Sequence, residues 1–186
     1  MTLSRPFLAT ALLAALVLPL SAAAALKVEG KPKVSFFATG SPGFLDIEGV
    51  SGTAVVTDDG TKLSFAVPMT SVSTGISLRD EHMQNEYVKV AQFPNATLTV
   101  AKAAVQWGAA VGEKKTGSVP GEFTIHGVTK PATVAYTTSK TKTGWKITGK
   151  FDFDVAQHGI AIHSYLGVTV DPKMRAEVAM DLVDAP

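Results

Sequence analysis

The clearest pattern along the chain is an alternation of apolar and polar residues in the segment WKITGKFDFDV, which spans positions 145–155. Trp145, Ile147, Phe151 and Phe153 occupy alternate positions, and lysine, threonine and aspartate stand between them. A period of two residues places these two sets on opposite faces of a β-strand. The segment therefore predicts a strand with one buried apolar face and one exposed charged face.

The same alternation recurs in PKMRAEVAMDLV and KLSFAVPM, and in shorter form in VSFF, FLDIEG and GTAVV. Turn sequences separate these segments: TDDGT contains the Asp-Gly pair of a tight hairpin, and HGVTKP and SKTKTG divide the later strands. Only ISLRDEHMQNEYVK has a helical pattern, which predicts a short helix near residues 79–89. The spacing of the strands is typical of an antiparallel up-and-down barrel or a sandwich.

The first 25 residues have the layout of a secretory signal peptide. Arg5 precedes the apolar run FLATALLAALVLPL, and the small residues SAAAA follow it. We expect cleavage after Ala24 or Ala25, which leaves a mature domain at residues 26–186. An uncleaved N-terminal anchor is the alternative, although the apolar run is short for a membrane span.

Composition narrows the possible functions of this 186-residue chain. Its formal net charge is +1 without a basic block, so nothing indicates a nucleic-acid partner. It contains no cysteine, which excludes disulfides, thiolate metal sites and a cysteine nucleophile. We expect no metal and no cofactor, because no set of residues has the spacing of a metal site, a phosphate loop or a nucleophile elbow.

The run RDEHM is the strongest candidate for polar chemistry. On a helix Arg79 and His82 share a face, whereas Asp80 points elsewhere, so the run does not pair a carboxylate with a histidine. Its arginine and histidine then either contact a ligand or belong to a structural network, and catalysis is a third alternative. His126 lies in a turn, where we expect it to bond to the backbone. On one continuous strand His158 and His163 would face opposite sides.

Two motif blocks carry a resemblance to a known family. The order STG, RDEHM, FP and T-x-V between Ser73 and Val100, followed by GEFTIHGVTKPATV between Gly121 and Val134, resembles the YceI-like family. The resemblance implies an all-β fold, an eight-stranded antiparallel lipocalin-like β-barrel. It also implies an exported protein, periplasmic or secreted, that holds a long-chain isoprenoid or similar amphiphilic lipid inside the barrel.

The apolar faces of the predicted strands give the candidate ligand-binding residues, with Arg79 and His82 at the rim. An eight-stranded barrel is wide enough for one small ligand, although the same side chains can also fill a solid core. The interior candidates are Phe36, Leu45, Ile47, Phe65, Val67, Met69, Phe123, Ile125, Trp145, Ile147, Phe151, Phe153, Met174, Val178 and Met180.

Three functions stay open from the sequence. The first is a non-enzymatic carrier or sequestering protein for a long-chain lipid, without stable membrane insertion after signal cleavage and compatible with a homodimer. The second is a filled barrel that acts on a protein partner through its surface. The third is an enzyme that acts on a hydrophobic substrate through His82 or His126.

Overall fold

A computed structural model describes residues 25–41, 45–162 and 169–185 and shows one curled antiparallel β-sheet with a short helical segment at one end. The helical segment consists of α1 (Ser77–His82) and a π-helical turn (Met83–Tyr87). The strands are β1 (Leu26–Ser41), β2 (Leu45–Ser51), β3 (Val55–Asp58), β4 (Lys62–Pro68), β5 (Asn95–Ala101), β6 (Lys114–Ile125), β7 (Val128–Lys140), β8 (Gly144–Asp154), β9 (Thr169–Val170) and β10 (Lys173–Asp184).

Neighbouring strands pair in the order β2-β1-β10-β8-β7-β6-β5-β4-β3, and every pairing is antiparallel. The last strand, β10, lies between β1 and β8, so the two ends of the chain meet inside the sheet. β1 also contacts β3 at the far end of this order, which curls the sheet around an enclosed interior. β9 extends the pairing at the end of β1.

The predicted all-β class, the antiparallel pairing and the short helix are confirmed. The predicted count of eight strands is wrong, because the described residues form ten. β9 contains only two residues, which is too short for any alternation to be visible in the sequence. The helical segment begins at Ser77, slightly before the predicted position, and its second half widens into the π-helical turn.

The hairpin between β6 and β7 is tighter than the sequence predicted. Its turn consists of His126 and Gly127 alone, with φ angles of 52° and 73°, and VTKP belongs to β7. Positive φ at both central residues is the geometry of a type I′ turn, which matches the twist of paired strands. A Cβ atom on Gly127 would lie 2.5 Å from the ring of Phe93, so glycine is required there for space as well as for conformation.

β1 contains a bulge at a segment whose residues cannot form the regular hydrogen-bond pattern with β10. The register with β10 shifts between Glu29 and Lys33, at the segment that contains Gly30 and Pro32. Gly30 has a φ of 72°, and proline has no N–H to donate to a neighbouring strand. The bulge lets one long strand follow the curvature of the sheet along its whole length.

Nothing is described for residues 1–24, which include nearly all of the predicted signal peptide. Within the described ranges, no helix has the length and apolar character needed to cross a membrane.

Candidate ligand-binding site

Two apolar chambers follow one another along the interior of the curled sheet. The deep chamber has a volume of about 80 Å³, and the outer chamber a volume of about 420 Å³. Among the described residues, Phe36 is the one that lines both. The outer chamber alone falls within the range of roughly 300–1,000 Å³ that is typical of small-molecule sites.

The deep chamber is lined almost entirely by aliphatic and aromatic side chains from the middle of the strands. Its residues are Val34, Phe36, Ala54, Leu63, Phe65, Val67, Ala96, Leu98, Val100, Val105, Trp107, Val119, Phe123, Val134, Tyr136, Ile147, Gly149, Phe151, Ala176, Glu177, Val178 and Met180.

The outer chamber is lined by the ends of the strands and by the helical segment. Its residues are Phe36, Ala38, Leu45, Ile47, Gly49, Met69, Val72, Thr74, Ile76, Leu78, Arg79, His82, Met83, Tyr87, Val88, Ile125, Phe153, Val155, Ile160, Ile162, Val170 and Met174. We call the exposed apolar edge formed by Leu45, Ile76 and Leu78 the mouth, because these side chains are 45–54% exposed and border this chamber.

The connection between β5 and β6 closes the opposite end of the interior, and we call its residues 105–108 the floor. The hydroxyl of Tyr136 accepts a hydrogen bond from the backbone N–H of Gln106 at 2.8 Å, and Thr138 donates to the carbonyl of Gln106 at 2.8 Å. Trp107 packs edge-to-face on Trp145, with ring centroids 5.3 Å apart. These bonds hold the floor across the end of the deep chamber.

The prediction that Trp145 lines the ligand cavity is wrong, because it borders neither chamber. Its indole N–H donates to the carbonyl of Gly108 at 3.2 Å, and the Nζ atom of Lys140 lies 3.7 Å from its ring centroid. Trp145 therefore supports the floor from behind. The alternating pattern correctly predicted the face of β8 on which Trp145 lies. The sequence carries no signal for the floor, which lies between this ring and the cavity.

The other predicted interior residues border the two chambers. In the deep chamber lie Phe65, Val67, Phe123, Ile147, Phe151, Val178 and Met180, and Phe36 borders both chambers. In the outer chamber lie Leu45, Ile47, Met69, Ile125, Phe153 and Met174, together with the predicted rim residues Arg79 and His82.

Arg79 is held against the loop that precedes α1. Its Nε donates to the hydroxyl of Thr74 at 2.8 Å, and a terminal nitrogen donates to the carbonyl of Thr74 at 2.8 Å. One residue thus receives two charge-assisted bonds, which fixes the guanidinium at the wall of the outer chamber. The structural network and the ligand contact that the sequence left as alternatives are compatible at this position.

Asp80 binds the loop that precedes α1. Its carboxylate accepts hydrogen bonds from the hydroxyls of Ser73 and Thr74 and from the backbone N–H of Thr74. Burial raises the pKa of Asp80, but the bonds from Thr74 and Ser73 and the neighbouring Arg79 outweigh this effect and lower the pKa overall. The carboxylate is thus an ionised anchor of the loop.

Two histidines lie at the mouth end in a contact that the sequence did not predict. The Nδ1 of His126 donates to the carbonyl of His158 at 3.2 Å, and the Nδ1 of His158 donates to the carbonyl of Asp154 at 2.9 Å. The Nε2 atoms of both rings are buried without a hydrogen-bond partner among the described residues. His163 lies outside those residues, and within them no group of three potential ligands is placed to hold a metal ion.

Four phenylalanine rings meet at the boundary between the chambers. Phe123 contacts Phe153 and Phe151 at centroid distances of 4.8 and 4.9 Å, and Phe36 contacts Phe153 at 6.4 Å. His158 packs edge-on against Phe123 at 5.5 Å and against Phe153 at 6.2 Å. We call Phe36, Phe123, Phe151 and Phe153 the aromatic partition.

The family model of the YceI-like domain matches residues 21–182. This chain belongs to the YceI-like family. It is 30% identical over 95 residues to UPF0312 proteins of Pseudomonas savastanoi pv. phaseolicola and Pseudomonas syringae pv. tomato, a match that covers 50% of this chain. The matched part spans about half, 46%, of the length of these curated relatives.

Solved structures share the fold. A polyisoprenoid-binding domain from Saccharophagus degradans, implicated in plant cell wall breakdown, superposes with a TM-score of 0.72 at 15% identity and covers 88% of this chain and all of that domain. BcnA of Burkholderia cenocepacia gives a TM-score of 0.61 at 16% identity and covers 82% of this chain and 96% of its own. At these identities the likeness establishes the lipocalin-like YceI fold.

Proposed function

We propose that this protein binds a long-chain isoprenoid or a similar amphiphilic lipid in the outer chamber and carries or sequesters it outside the cytoplasm. The single observation that carries the proposal is the apolar outer chamber of about 420 Å³, which opens at an exposed apolar mouth. The fold shared with a polyisoprenoid-binding domain supports the same ligand class.

Burial supplies the driving force for such a ligand. Each methylene removed from water contributes about 0.8 kcal/mol, so ten of them give roughly 8 kcal/mol before the ligand's lost freedom is subtracted. Within the part of the chain that the structure describes, the polar side chains that line the chamber are those of Thr74, Arg79, His82 and Tyr87. A lipid with one small polar end fits this distribution, with its chain among the apolar side chains and its polar end near Arg79.

We infer binding without catalysis. Arg79 and Asp80 are both engaged with Thr74, and their contacts fix a loop instead of aiming an acid and a base at one point in the chamber. Of the two histidines that the sequence offered for catalysis, His126 bonds to the carbonyl of His158 and borders neither chamber.

The test is mass spectrometry of an organic extract from the folded, purified protein, together with two charged variants. Ile147→Lys places a cation in the deep chamber, and Ile47→Lys places one in the less buried wall of the outer chamber. Ile47→Lys is expected to abolish lipid retention, because a charge opposes an apolar ligand. Ile147→Lys is expected to affect only a ligand whose chain reaches beyond the outer chamber. Lys146→Glu is the matched control on the exposed face of β8 and is expected to retain the wild-type lipid.

Ile47→Lys keeps the test valid if Ile147→Lys does not fold. Wild-type protein that neither carries nor binds a lipid would overturn the proposal, as would Ile47→Lys protein with undiminished lipid. The second function, action on a protein partner through the surface, would then take its place.

Export is the other part of the proposal, and it rests on the sequence of the first 25 residues. Leu26 is 5% exposed and begins β1, and its N–H donates to Asp58 at 3.0 Å, so β1 begins directly after the expected cleavage point. N-terminal sequencing of protein from a periplasmic extract is expected to begin at Ala25 or Leu26. An intact Met1 in the membrane fraction would contradict export by cleavage.

A further inference from the structure

We propose that the aromatic partition sets the length of the lipid chain that this protein accepts, with Phe36 as the residue that determines it. The inference rests on the proposed lipid binding and specifies it: the ligand is a prenyl chain that ends at the partition.

The partition lies at one level of the barrel because of the strand register. Phe36 on β1 pairs with Ala176 on β10, and Ala176 pairs with Phe151 on β8, so the three form one cross-strand row. Only a methyl group separates the two phenylalanines in that row, which leaves space for their rings over the interior. Phe153 follows two positions along β8, on the same face, and its ring contacts Phe36, Phe123 and Phe151.

Two rings of the aromatic partition are tightly packed, and the other two border the outer chamber. Phe123 and Phe151 are 3% and 9% exposed, so both rings are enclosed by neighbouring side chains. Phe36 and Phe153 are only partly buried and border the larger outer chamber. A rotation of Phe36 has free volume to enter, whereas a rotation of Phe123 would have to displace packed atoms.

The volumes of the two chambers explain why the position of the Phe36 ring matters for a ligand. A chain that enters at the mouth has about 420 Å³ before it meets the partition, and the space beyond has about 80 Å³. With the partition closed, affinity grows with chain length only until the outer chamber is full. Removal of the Phe36 ring joins the chambers, because this residue lines both.

The experiment measures the affinity of the full mature protein for a series of prenyl alcohols of increasing length: geraniol, farnesol, geranylgeraniol and solanesol. For wild type we expect the affinity to rise along the series and then level off. Phe36→Ala is expected to move this plateau to a longer alcohol and to tighten binding of that alcohol about tenfold, which corresponds to roughly two additional buried methylenes. Phe37→Ala is the matched control, since Phe37 is the adjacent phenylalanine and borders neither chamber.

A second variant distinguishes two explanations for tighter binding by Phe36→Ala: a connection between the two chambers, and a general loosening of the site. Val178 pairs with Gly149 and lines the deep chamber, so a larger side chain at position 178 occupies volume of that chamber. Val178→Phe fills the deep chamber, so it is expected to cancel the gain of Phe36→Ala in the double variant.

Identical plateaus in wild type and Phe36→Ala would overturn the inference, and so would a gain that survives Val178→Phe. Phe36→Leu and Phe153→Ala give the same test if Phe36→Ala does not fold. Absence of prenyl alcohol binding by wild type would instead refute the proposed function, so the two failures are distinguishable.

Discussion

The two ends of the barrel are built from similar residues but in opposite ways. At the floor, Tyr136 and Thr138 bind the backbone of Gln106, and two tryptophans pack behind these contacts. At the mouth, Ile76 and Leu78 are each 54% exposed beside a chamber with room for a ligand. The sealed end provides stability, and the open end leaves apolar surface that only a ligand or a partner can cover.

An aspartate at each end shows the same contrast. Asp58 lies near the floor with a fully buried side chain, and it joins three parts of the chain: Lys102 at 2.6 Å, the N–H of Leu26 and the N–H of Gly60. Asp80 lies at the mouth and binds residues only six or seven positions away. The first carboxylate closes the barrel, and the second shapes one local loop.

The largest expected effect is on stability at the floor. Trp107→Ala removes the ring that packs on Trp145, and we expect it to lower the free energy of unfolding by about 3 kcal/mol, the low end for tryptophan because Trp107 is only partly buried. Leu78→Ala at the mouth is the matched truncation and is expected to cost less than about 0.5 kcal/mol, because its side chain is half exposed. Urea unfolding of both variants measures the difference, and equal losses would break the comparison.

The next effect concerns Asp58. Asp58→Asn leaves Lys102 without its carboxylate, and we expect it to lower the free energy of unfolding by about 2 kcal/mol at neutral pH. Asp152→Asn is the control, since Asp152 pairs with Arg175 at an exposed position and such pairs contribute only about 0–1 kcal/mol. A loss for Asp152→Asn as large as that for Asp58→Asn would show that the location of the pair does not matter.

The effect of Asp58 should also depend on pH. Burial raises the pKa of Asp58, but the bonds from Lys102, Gly60 and Leu26 outweigh it, so the pKa lies below its usual value of 3.8. A carboxyl with a lowered folded-state pKa contributes its full stability above the unfolded value and loses it as the pH falls through the folded value. The difference in stability between wild type and Asp58→Asn is therefore constant above about pH 5 and shrinks below the usual value of 3.8. A stability difference between wild type and Asp58→Asn that grows as the pH falls would contradict this prediction.

The smallest effect is expected at the mouth. Arg79→Ala removes two hydrogen bonds to Thr74, and because this position is partly exposed we expect a loss of about 1 kcal/mol in the free energy of unfolding. Thr74→Val removes the hydroxyl partner, so the double variant should cost less than the sum of the two single variants. Strict additivity in urea unfolding, together with unchanged lipid content, would show that Arg79 is an idle surface charge.

Much of the fold was predictable from alternation alone. β8 and β10 run as expected, and their inward residues Ile147, Phe151 and Met180 border the deep chamber. Alternation assigns each side chain to a face, but it carries no position along the barrel axis. The division of the interior into two chambers depends on the cross-strand register of Phe36 with Ala176 and Phe151, which no local pattern specifies.

The contacts of the floor and of His158 could not be predicted from the sequence for a related reason. Gln106 meets Tyr136 across 30 positions of the chain, and His126 meets the carbonyl of His158 across 32. Their segments show no regular period, since one is a connection and the other a short turn of helix after β8. Contacts of this range arise only once the strands have been placed beside one another.

The central claim, that a lipid occupies the outer chamber, is tested most directly by photolabelling. A diazirine analogue of farnesol is incubated with the mature protein, irradiated, and mapped by peptide mass spectrometry with and without excess farnesol. We predict label, displaced by farnesol, on peptides that contain Ile47, Met83 and Met174, which line this chamber. Label that farnesol does not displace, or label confined to the outward-facing surface around Thr116 and Lys150, would contradict the claim.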